Sequence, residues 1–192
     1  MKTVLFVPGF QEDMKSRDYP STIAAIEKKG YAVKFVPINW MHTTIEQWVE
    51  QLDEVYSKHD PKDTVLAGFS YGSMTAFMSA TKRNPSELWL FSLSPYFAED
   101  LVSKHMKATW LKGIGHRRVT AFSKLNFKTL ARQIQCKTFL FVGQLEIDKF
   151  PGIGVRATES HRLLKASKLF VIPESGHDVS DAHYIKTITE SI

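Results

Sequence analysis

Six short apolar runs, separated by longer segments, constrain the fold of this chain more than any other feature. The runs are apolar at successive positions rather than at alternate ones, as expected of strands buried on both faces of a parallel sheet. Most of the intervening segments have helical periodicity, and a capping box at 43–46 precedes one of them. The predicted strands are 3–7, 32–36, 64–67, 88–93, 138–142 and 169–172, and the predicted helices are 21–29, 45–56, 73–83, 156–166 and 179–191.

Strands that alternate with helices predict right-handed crossovers, and therefore an α/β protein with a three-layer α/β/α sandwich and a mostly parallel six-stranded sheet. The 192 residues, 43% of them hydrophobic, can form one core, so we expect a single domain over 1–192. No apolar run approaches the roughly 18 residues needed to span a bilayer. The single cysteine, Cys136, excludes an internal disulfide and favours a cytoplasmic protein. The sequence does not specify an oligomeric state.

The connection between the fourth and fifth predicted strands, residues 94–137, is far longer than one crossover helix requires. Its apolar residues predict a folded, lid-like helical insertion, at about 95–137, over the carboxyl edge of the sheet. No acidic residue occurs from 101 to 145, and the net charge of +5 less nine basic residues leaves −4 for the rest of the chain. The nine are Lys104, Lys107, Lys112, Arg117, Arg118, Lys124, Lys128, Arg132 and Lys137. They form either a solvated surface or a positive rim that attracts anionic substrates, acidic lipid headgroups or a polyanion.

The pentapeptide Gly68-Phe69-Ser70-Tyr71-Gly72 directly follows the third predicted strand. A serine between two glycines at a strand-to-helix turn is typical of a nucleophile elbow, in which a sharp turn holds the hydroxyl clear of the backbone. The amides that follow lie at a helix N-terminus, where an oxyanion is favoured. The same pattern also occurs by chance in ordinary turns, so the interpretation depends on the partners of the serine.

A serine nucleophile needs a base, and the base needs a carboxylate that orients it. In a parallel sheet, both must come from the segments at the carboxyl ends of strands. Glu146 and Asp148 follow the fifth predicted strand, and His177 follows the sixth, just before the last helix. The order of serine, acid and histidine predicts a catalytic triad.

Together these motifs resemble those of the small serine hydrolases with the α/β-hydrolase fold, over nearly the whole chain. The segment Val7-Pro8-Gly9-Phe10 resembles the loop after the first strand of that family's catalytic half, with Pro-Gly where His-Gly is usual. The resemblance implies an oxyanion hole formed by the backbone amides of Phe10 and Tyr71. It also implies the strand order 2-1-3-4-5-6, without the family's two leading antiparallel strands. The usual spacing after the strand-ending glycine favours Glu146 as the acid, and Asp148, which Pro151 follows, is the alternative.

The expected function is cleavage of a carboxylic ester or thioester through an acyl-enzyme, with Ser70 as nucleophile and His177 as base. The alternatives are an acyltransferase or thioesterase acting on a carrier-bound acyl group, and a non-catalytic ligand-binding homologue. We expect a small acyl ester, neutral or anionic, as the partner, and neither a nucleic acid nor a membrane span. We expect no metal or cofactor, because no P-loop or complete dinucleotide motif occurs. The other histidines lack metal-ligand spacing and are expected in surface or capping roles; they are His42, His59, His105, His116, His161 and His183.

Overall fold

A computed structural model describes all 192 residues of the chain. Its six strands form one sheet in the order β2-β1-β3-β4-β5-β6, and every neighbouring pair is parallel. The strands are β1 (Thr3–Val7), β2 (Ala32–Phe35), β3 (Thr64–Phe69), β4 (Glu87–Phe91), β5 (Lys137–Gly143) and β6 (Ser167–Ile172). The predicted α/β class and the predicted strand order are therefore confirmed.

Helices connect all the strands and cover both faces of the sheet. They are α1 (Tyr19–Glu27), α2 (Ile45–Tyr56), α3 (Tyr71–Arg83), α4 (Ala98–Leu101), α5 (Ala108–Ile114), α6 (His116–Phe122), α7 (Phe127–Ala131), α8 (Gln144–Lys149), α9 (Pro151–Leu163) and α10 (Ala182–Ser191). None of them combines the length and the apolar character that crossing a bilayer requires. A 3₁₀ turn, Pro61–Asp63, precedes β3.

The helix boundaries differ from the predicted ones where capping residues determine them. The N-cap of α2 is Thr44, whose N–H donates to the Gln47 side chain at 3.2 Å, so the capping box lies one residue later than predicted. Helix α9 begins at Pro151, five residues earlier than predicted, because a proline is well suited to the first turn. Helix α10 begins three residues later than predicted, because Asp181 caps it.

Side chains of the central strands β1, β3, β4 and β5 alternate between two apolar layers, so the middle of the sheet is buried on both faces, whereas the edge strands β2 and β6 are partly exposed. Leu5 of β1 packs in a cluster with residues of α2 and α3, whereas its neighbour Phe6 packs in a second cluster with residues of α1 and α10. This explains why the strands are apolar at successive positions. The two layers hold the carboxyl ends of the strands in fixed positions along one edge.

The insertion between β4 and β5 consists of four short helices, α4 to α7, and packs against the body of the protein. The Arg156 guanidinium of α9 donates two hydrogen bonds to the Asp100 carboxylate of α4, at 2.9 and 2.6 Å, and both side chains are nearly fully buried. Arg156 also lies 4.2 Å from the centroid of the Phe127 ring. This buried ion pair attaches the first helix of the insertion to α9.

Candidate active site

Ser70 lies at the turn between β3 and α3 with φ 57° and ψ −116°, a conformation that non-glycine residues rarely adopt. Its N–H donates to the Phe91 carbonyl at 2.9 Å, which holds the turn against β4. A Cβ on Gly68 would lie 2.2 Å from the Gly72 carbonyl oxygen, and a Cβ on Gly72 would lie 2.3 Å from that of Val7. Both positions therefore require glycine, and the turn is packed tightly enough to maintain the strain at Ser70.

His177 and Glu146 are in contact, although 31 residues separate them. Nδ1 of the imidazole lies 2.5 Å from Oε1 of the carboxylate. The Glu146 side chain has no exposed surface, whereas a third of the His177 side chain is exposed. A buried carboxylate is costly unless its oxygens have hydrogen-bond partners. The contact therefore orients the imidazole and satisfies one oxygen of the acid.

The second oxygen of Glu146 accepts a hydrogen bond from the Ser92 hydroxyl at 2.7 Å. Ser92 is itself 3.0 Å from the hydroxyl of Tyr184, which donates to the Phe141 carbonyl. Burial, and then the charge of Glu146, raises the pKa of Tyr184 well above its ordinary 10.0, so this hydroxyl stays protonated. Neither Ser92 nor Tyr184 was identified from the sequence, because neither belongs to a local motif.

Asp148, the alternative acid, is exposed on α8 and accepts a hydrogen bond from Gln144 of the same helix at 2.8 Å. Glu146 lies in the first turn of that helix rather than in the loop expected from the sequence. Residues two apart on a helix point in different directions. The structure thus brings Glu146, and not Asp148, to His177.

The Ser70 hydroxyl has one side-chain partner, the Ser94 hydroxyl at 3.3 Å. No hydrogen bond joins Ser70 to the His177 ring, whose Nε2 has no partner in the chain. Ser70, Ser94 and His177 all line the same cavity. Hydrogen bonds of this kind are often long or absent in an active site without substrate.

The two residues of the predicted oxyanion hole lie side by side. The rings of Phe10 and Tyr71 have centroids 5.0 Å apart, so the loop after β1 lies beside the start of α3. The N–H of Phe10 has no acceptor in the chain. The N–H of Tyr71 is the first of its helix and has no intrahelical partner. Both donors are therefore available to a ligand.

The cavity over Ser70 has a volume of about 290 Å³ and mostly apolar walls. Its apolar lining comes from the first residue of α3, from the segment after β4, from the insertion and from α9 with the residue before it, namely Tyr71, Pro95, Tyr96, Met106, Trp110, Phe150, Ile153 and Val155. None of the nine basic residues of the insertion lines it, and the carboxylate of Asp100 at its wall is paired with Arg156. His105, expected in a surface or capping role, lines the cavity. No group of three or more His, Cys, Asp or Glu side chains is arranged to hold a metal ion.

The parallel sheet in this strand order, with a strained serine after β3, defines the α/β-hydrolase fold, and comparison with solved structures shows the same fold. Est1E from Butyrivibrio proteoclasticus with ferulic acid bound matches with a TM-score of 0.79 and 14% identity, over 100% of this chain and 86% of that one. The ydeN gene product from B. subtilis matches with a TM-score of 0.68 and 12% identity, over 100% of both chains. The thioesterase domain from the curacin biosynthetic pathway matches with a TM-score of 0.65 and 13% identity, over 98% and 90%. No family model and no curated protein sequence matches the chain.

Proposed function

We propose that this chain is a serine hydrolase that cleaves a carboxylic ester or thioester through an acyl-enzyme on Ser70. The observation that carries the proposal is the contact between His177 Nδ1 and the fully buried Glu146 carboxylate at 2.5 Å. This is the arrangement by which an acid orients a catalytic histidine. The strained Ser70 and the two unpaired amides, which share the same end of the sheet, supply the remaining parts.

In the proposed reaction the Ser70 hydroxyl exchanges its Ser94 partner for Nε2 of His177. His177 removes the hydroxyl proton as Oγ attacks the acyl carbonyl, and Glu146 accepts a hydrogen bond from Nδ1–H and stabilises the imidazolium. The N–H groups of Phe10 and Tyr71 stabilise the oxyanion. His177 then returns the proton to the leaving alcohol or thiol. It next removes a proton from a water molecule, whose oxygen attacks the acyl carbonyl carbon. The bond from that carbon to Ser70 Oγ then breaks, His177 returns the proton to Oγ, and the acid is released.

The cavity favours an uncharged, apolar acyl group of modest size. Most of its wall surface is apolar, and a volume of about 290 Å³ is at the lower end for ligand sites. The one carboxylate at the wall, Asp100, is neutralised by Arg156. Because the basic residues of the insertion do not line the cavity, they give no support to an anionic acyl group. Because both an esterase and a thioesterase have this fold, the comparison does not distinguish an alcohol from a thiol as the leaving group.

Labelling with a fluorophosphonate probe tests the proposal directly. We expect the wild type to be labelled at Ser70, as mapped by mass spectrometry, and Ser70→Ala to lose both labelling and esterase activity while remaining folded. Ser123→Ala, which changes an exposed serine of the insertion outside the cavity, is the matched control and should label normally. An unlabelled, inactive wild type would instead indicate a non-catalytic binder. A panel of oxygen esters alongside acyl-CoA then identifies the leaving group.

A further inference from the structure

Arg17, which lies in the connection between β1 and α1, contacts the backbone of the proposed catalytic histidine, 160 residues further along the chain. Its Nη1 donates to the His177 carbonyl oxygen at 3.0 Å, and this is the only hydrogen bond that the carbonyl accepts. The guanidinium also lies 4.9 Å from the centroid of the Phe69 ring. That ring in turn packs against the imidazole of His177, with centroids 4.6 Å apart. Arg17 therefore supports His177 through both its backbone and its ring.

Arg17 is also bonded to the earlier part of the same connection, which carries Phe10. Arg17 Nε donates to one oxygen of Glu12 at 2.7 Å, and the Tyr19 hydroxyl donates to the other oxygen. The same Tyr19 hydroxyl accepts the N–H of Gly9 at 3.0 Å. Burial, and then the hydrogen bond to Glu12, raises the pKa of Tyr19, so the hydroxyl remains a donor. A continuous series of hydrogen bonds thus joins the residue before Phe10 to His177.

The charges around Arg17 indicate that its contribution is geometric. Burial opposes the charge of Arg17, but the hydrogen bond and charge of Glu12 and the charge of Asp178 outweigh it and raise the pKa of the guanidinium. Asp178 Oδ1 lies 3.6 Å from Nη1. With two carboxylates against one guanidinium, the cluster brings no net positive charge to His177. A planar guanidinium can bond two partners and stack on a ring at once, which a lysine cannot do.

We propose that Arg17 is a positioning residue. Through Glu12 and Tyr19, it fixes the position of the loop that carries His177 relative to the segment that carries Phe10. The inference rests on the proposed function, because it assigns Arg17 a role in the same reaction. A displacement of about 1 Å in a catalytic group can lower the rate about 100-fold. Since Arg17 does not line the cavity, its loss should lower kcat and leave KM nearly unchanged.

Arg17→Gln tests the inference against Arg162→Gln as the matched control. Arg162 is also paired with a carboxylate, Glu159, but lies on α9 away from the cavity. We expect Arg17→Gln to lower kcat for a short-chain ester about 10- to 100-fold at unchanged KM. Arg17→Lys keeps the positive charge but not the planar guanidinium. Its kcat should therefore regain less than a third of the loss measured in Arg17→Gln. Arg162→Gln should change kcat less than twofold, and all values are corrected for the folded fraction measured by circular dichroism.

A second measurement does not depend on turnover. The Nδ1 proton of His177, held by Glu146, should give a far-downfield proton resonance in the wild type, and Arg17→Gln should broaden or shift it. The inference is overturned if kcat of Arg17→Gln stays within twofold of wild type, if kcat recovers fully in Arg17→Lys, or if the resonance is unchanged. Failure of the proposed function is distinct, because it would appear as a wild type that neither labels at Ser70 nor cleaves esters.

Discussion

Ser92 donates a hydrogen bond at 2.7 Å to the Glu146 oxygen that does not contact His177. A hydrogen bond to a buried charge contributes about 1.5–3 kcal/mol, so we expect Ser92→Ala to lower the free energy of unfolding by about 2 kcal/mol. Because Glu146 then has one partner fewer to fix it against the imidazole, kcat should also fall about tenfold. Urea denaturation and steady-state kinetics measure the two effects.

Ser79→Ala is the control for this prediction, because Ser79 donates the same kind of hydrogen bond to the buried Asp53 at 2.5 Å, between α3 and α2. We expect a similar loss of stability and an unchanged kcat. Equal losses of kcat in the two variants would show that Ser92 acts on the fold alone.

The choice between the two acids gives the second prediction. Glu146→Gln keeps the size of the side chain but removes the charge that stabilises the imidazolium, so kcat should fall on the order of 10³–10⁴-fold. Asp148→Asn, two residues away on the same helix, changes an exposed carboxylate bonded to Gln144 and should leave kcat within twofold. Single-turnover acylation of a chromogenic ester measures both. A large loss in Asp148→Asn would make Asp148 the orienting acid.

Much of the fold could be predicted from the sequence because the strands are buried on both faces. Strand β1 has the predicted bounds, Thr3–Val7, and the parallel sheet follows from the alternation with helices, whereas the strand order was implied by the resemblance. The helices of the insertion could not be delimited individually, because with four to seven residues each they are too short for a helical period to show. The resemblance to the α/β-hydrolase fold, which rested on the elbow and the histidine loop, is confirmed by the solved structures.

Less of the candidate site than of the fold could be predicted from the sequence. The choice between Glu146 and Asp148 depends on the rotation of α8 about its axis, and six residues do not define that rotation. Ser92 and Arg17 contact the site from distant parts of the chain, and no local pattern marks such contacts. The catalytic roles of Ser70, His177 and the amides of Phe10 and Tyr71 stay predictions.

The packing of the elbow gives the third prediction. A Cβ on Gly72 would lie 2.3 Å from the Val7 carbonyl oxygen and 2.4 Å from that of Pro8, and backbone atoms cannot move aside as a side chain can. We expect Gly72→Ala to lower the free energy of unfolding by about 3 kcal/mol.

Gly113→Ala is the control, because Gly113 lies in α5 and a Cβ there has no neighbour within 4 Å. It should stabilise the protein by about 0.5–1 kcal/mol. Equal effects of the two changes in urea denaturation would contradict this account of the elbow.

The cap of α10 gives a pH-dependent prediction. Burial raises the pKa of Asp181, but hydrogen bonds from the Ser175 hydroxyl and from the N–H groups of Tyr184 and His183 outweigh it, so the pKa lies below its ordinary 3.8. A lowered pKa in the folded state contributes stability that is fully present above pH 3.8 and is lost as the pH falls through the folded value. Asp181→Ala should therefore cost about 1 kcal/mol near neutral pH.

Urea denaturation of the wild type and Asp181→Ala over a pH series tests whether the stability contributed by Asp181 falls as the pH is lowered. The difference in unfolding free energy should narrow as the pH falls below 3.8. Asp181→Asn keeps a capping oxygen but has no charge. Position 181 should therefore contribute nothing to the pH dependence of this variant's unfolding free energy. A difference that is constant over the series would mean that the carboxylate of Asp181 contributes no more than a neutral cap.

The last prediction concerns the size of the acyl group. Gly152 lines the cavity at the start of α9, and a Cβ there would lie 3.4 Å from the His105 Cβ and 3.8 Å from the Pro95 Cγ, which is ordinary contact. A Cβ at Gly152 is therefore accommodated, and we expect the two methyl groups of Gly152→Val to reduce a cavity of about 290 Å³. We expect kcat/KM for the longest acyl ester that the wild type accepts to fall at least about tenfold, since close-packed sites reject excess volume.

Acetyl esters are the internal control for this variant, because an acetyl group is small enough to fit a cavity that two added methyl groups have reduced. Their kcat/KM should change less than about threefold in Gly152→Val, a difference of under 1 kcal/mol in transition-state binding. Labelling of Ser70 by a small fluorophosphonate should proceed at the wild-type rate, because no atom of the elbow or of His177 lies within 4 Å of a Cβ at Gly152. If long and short acyl esters lose activity in parallel, the acyl group binds outside this cavity, and the insertion has another role than enclosing it.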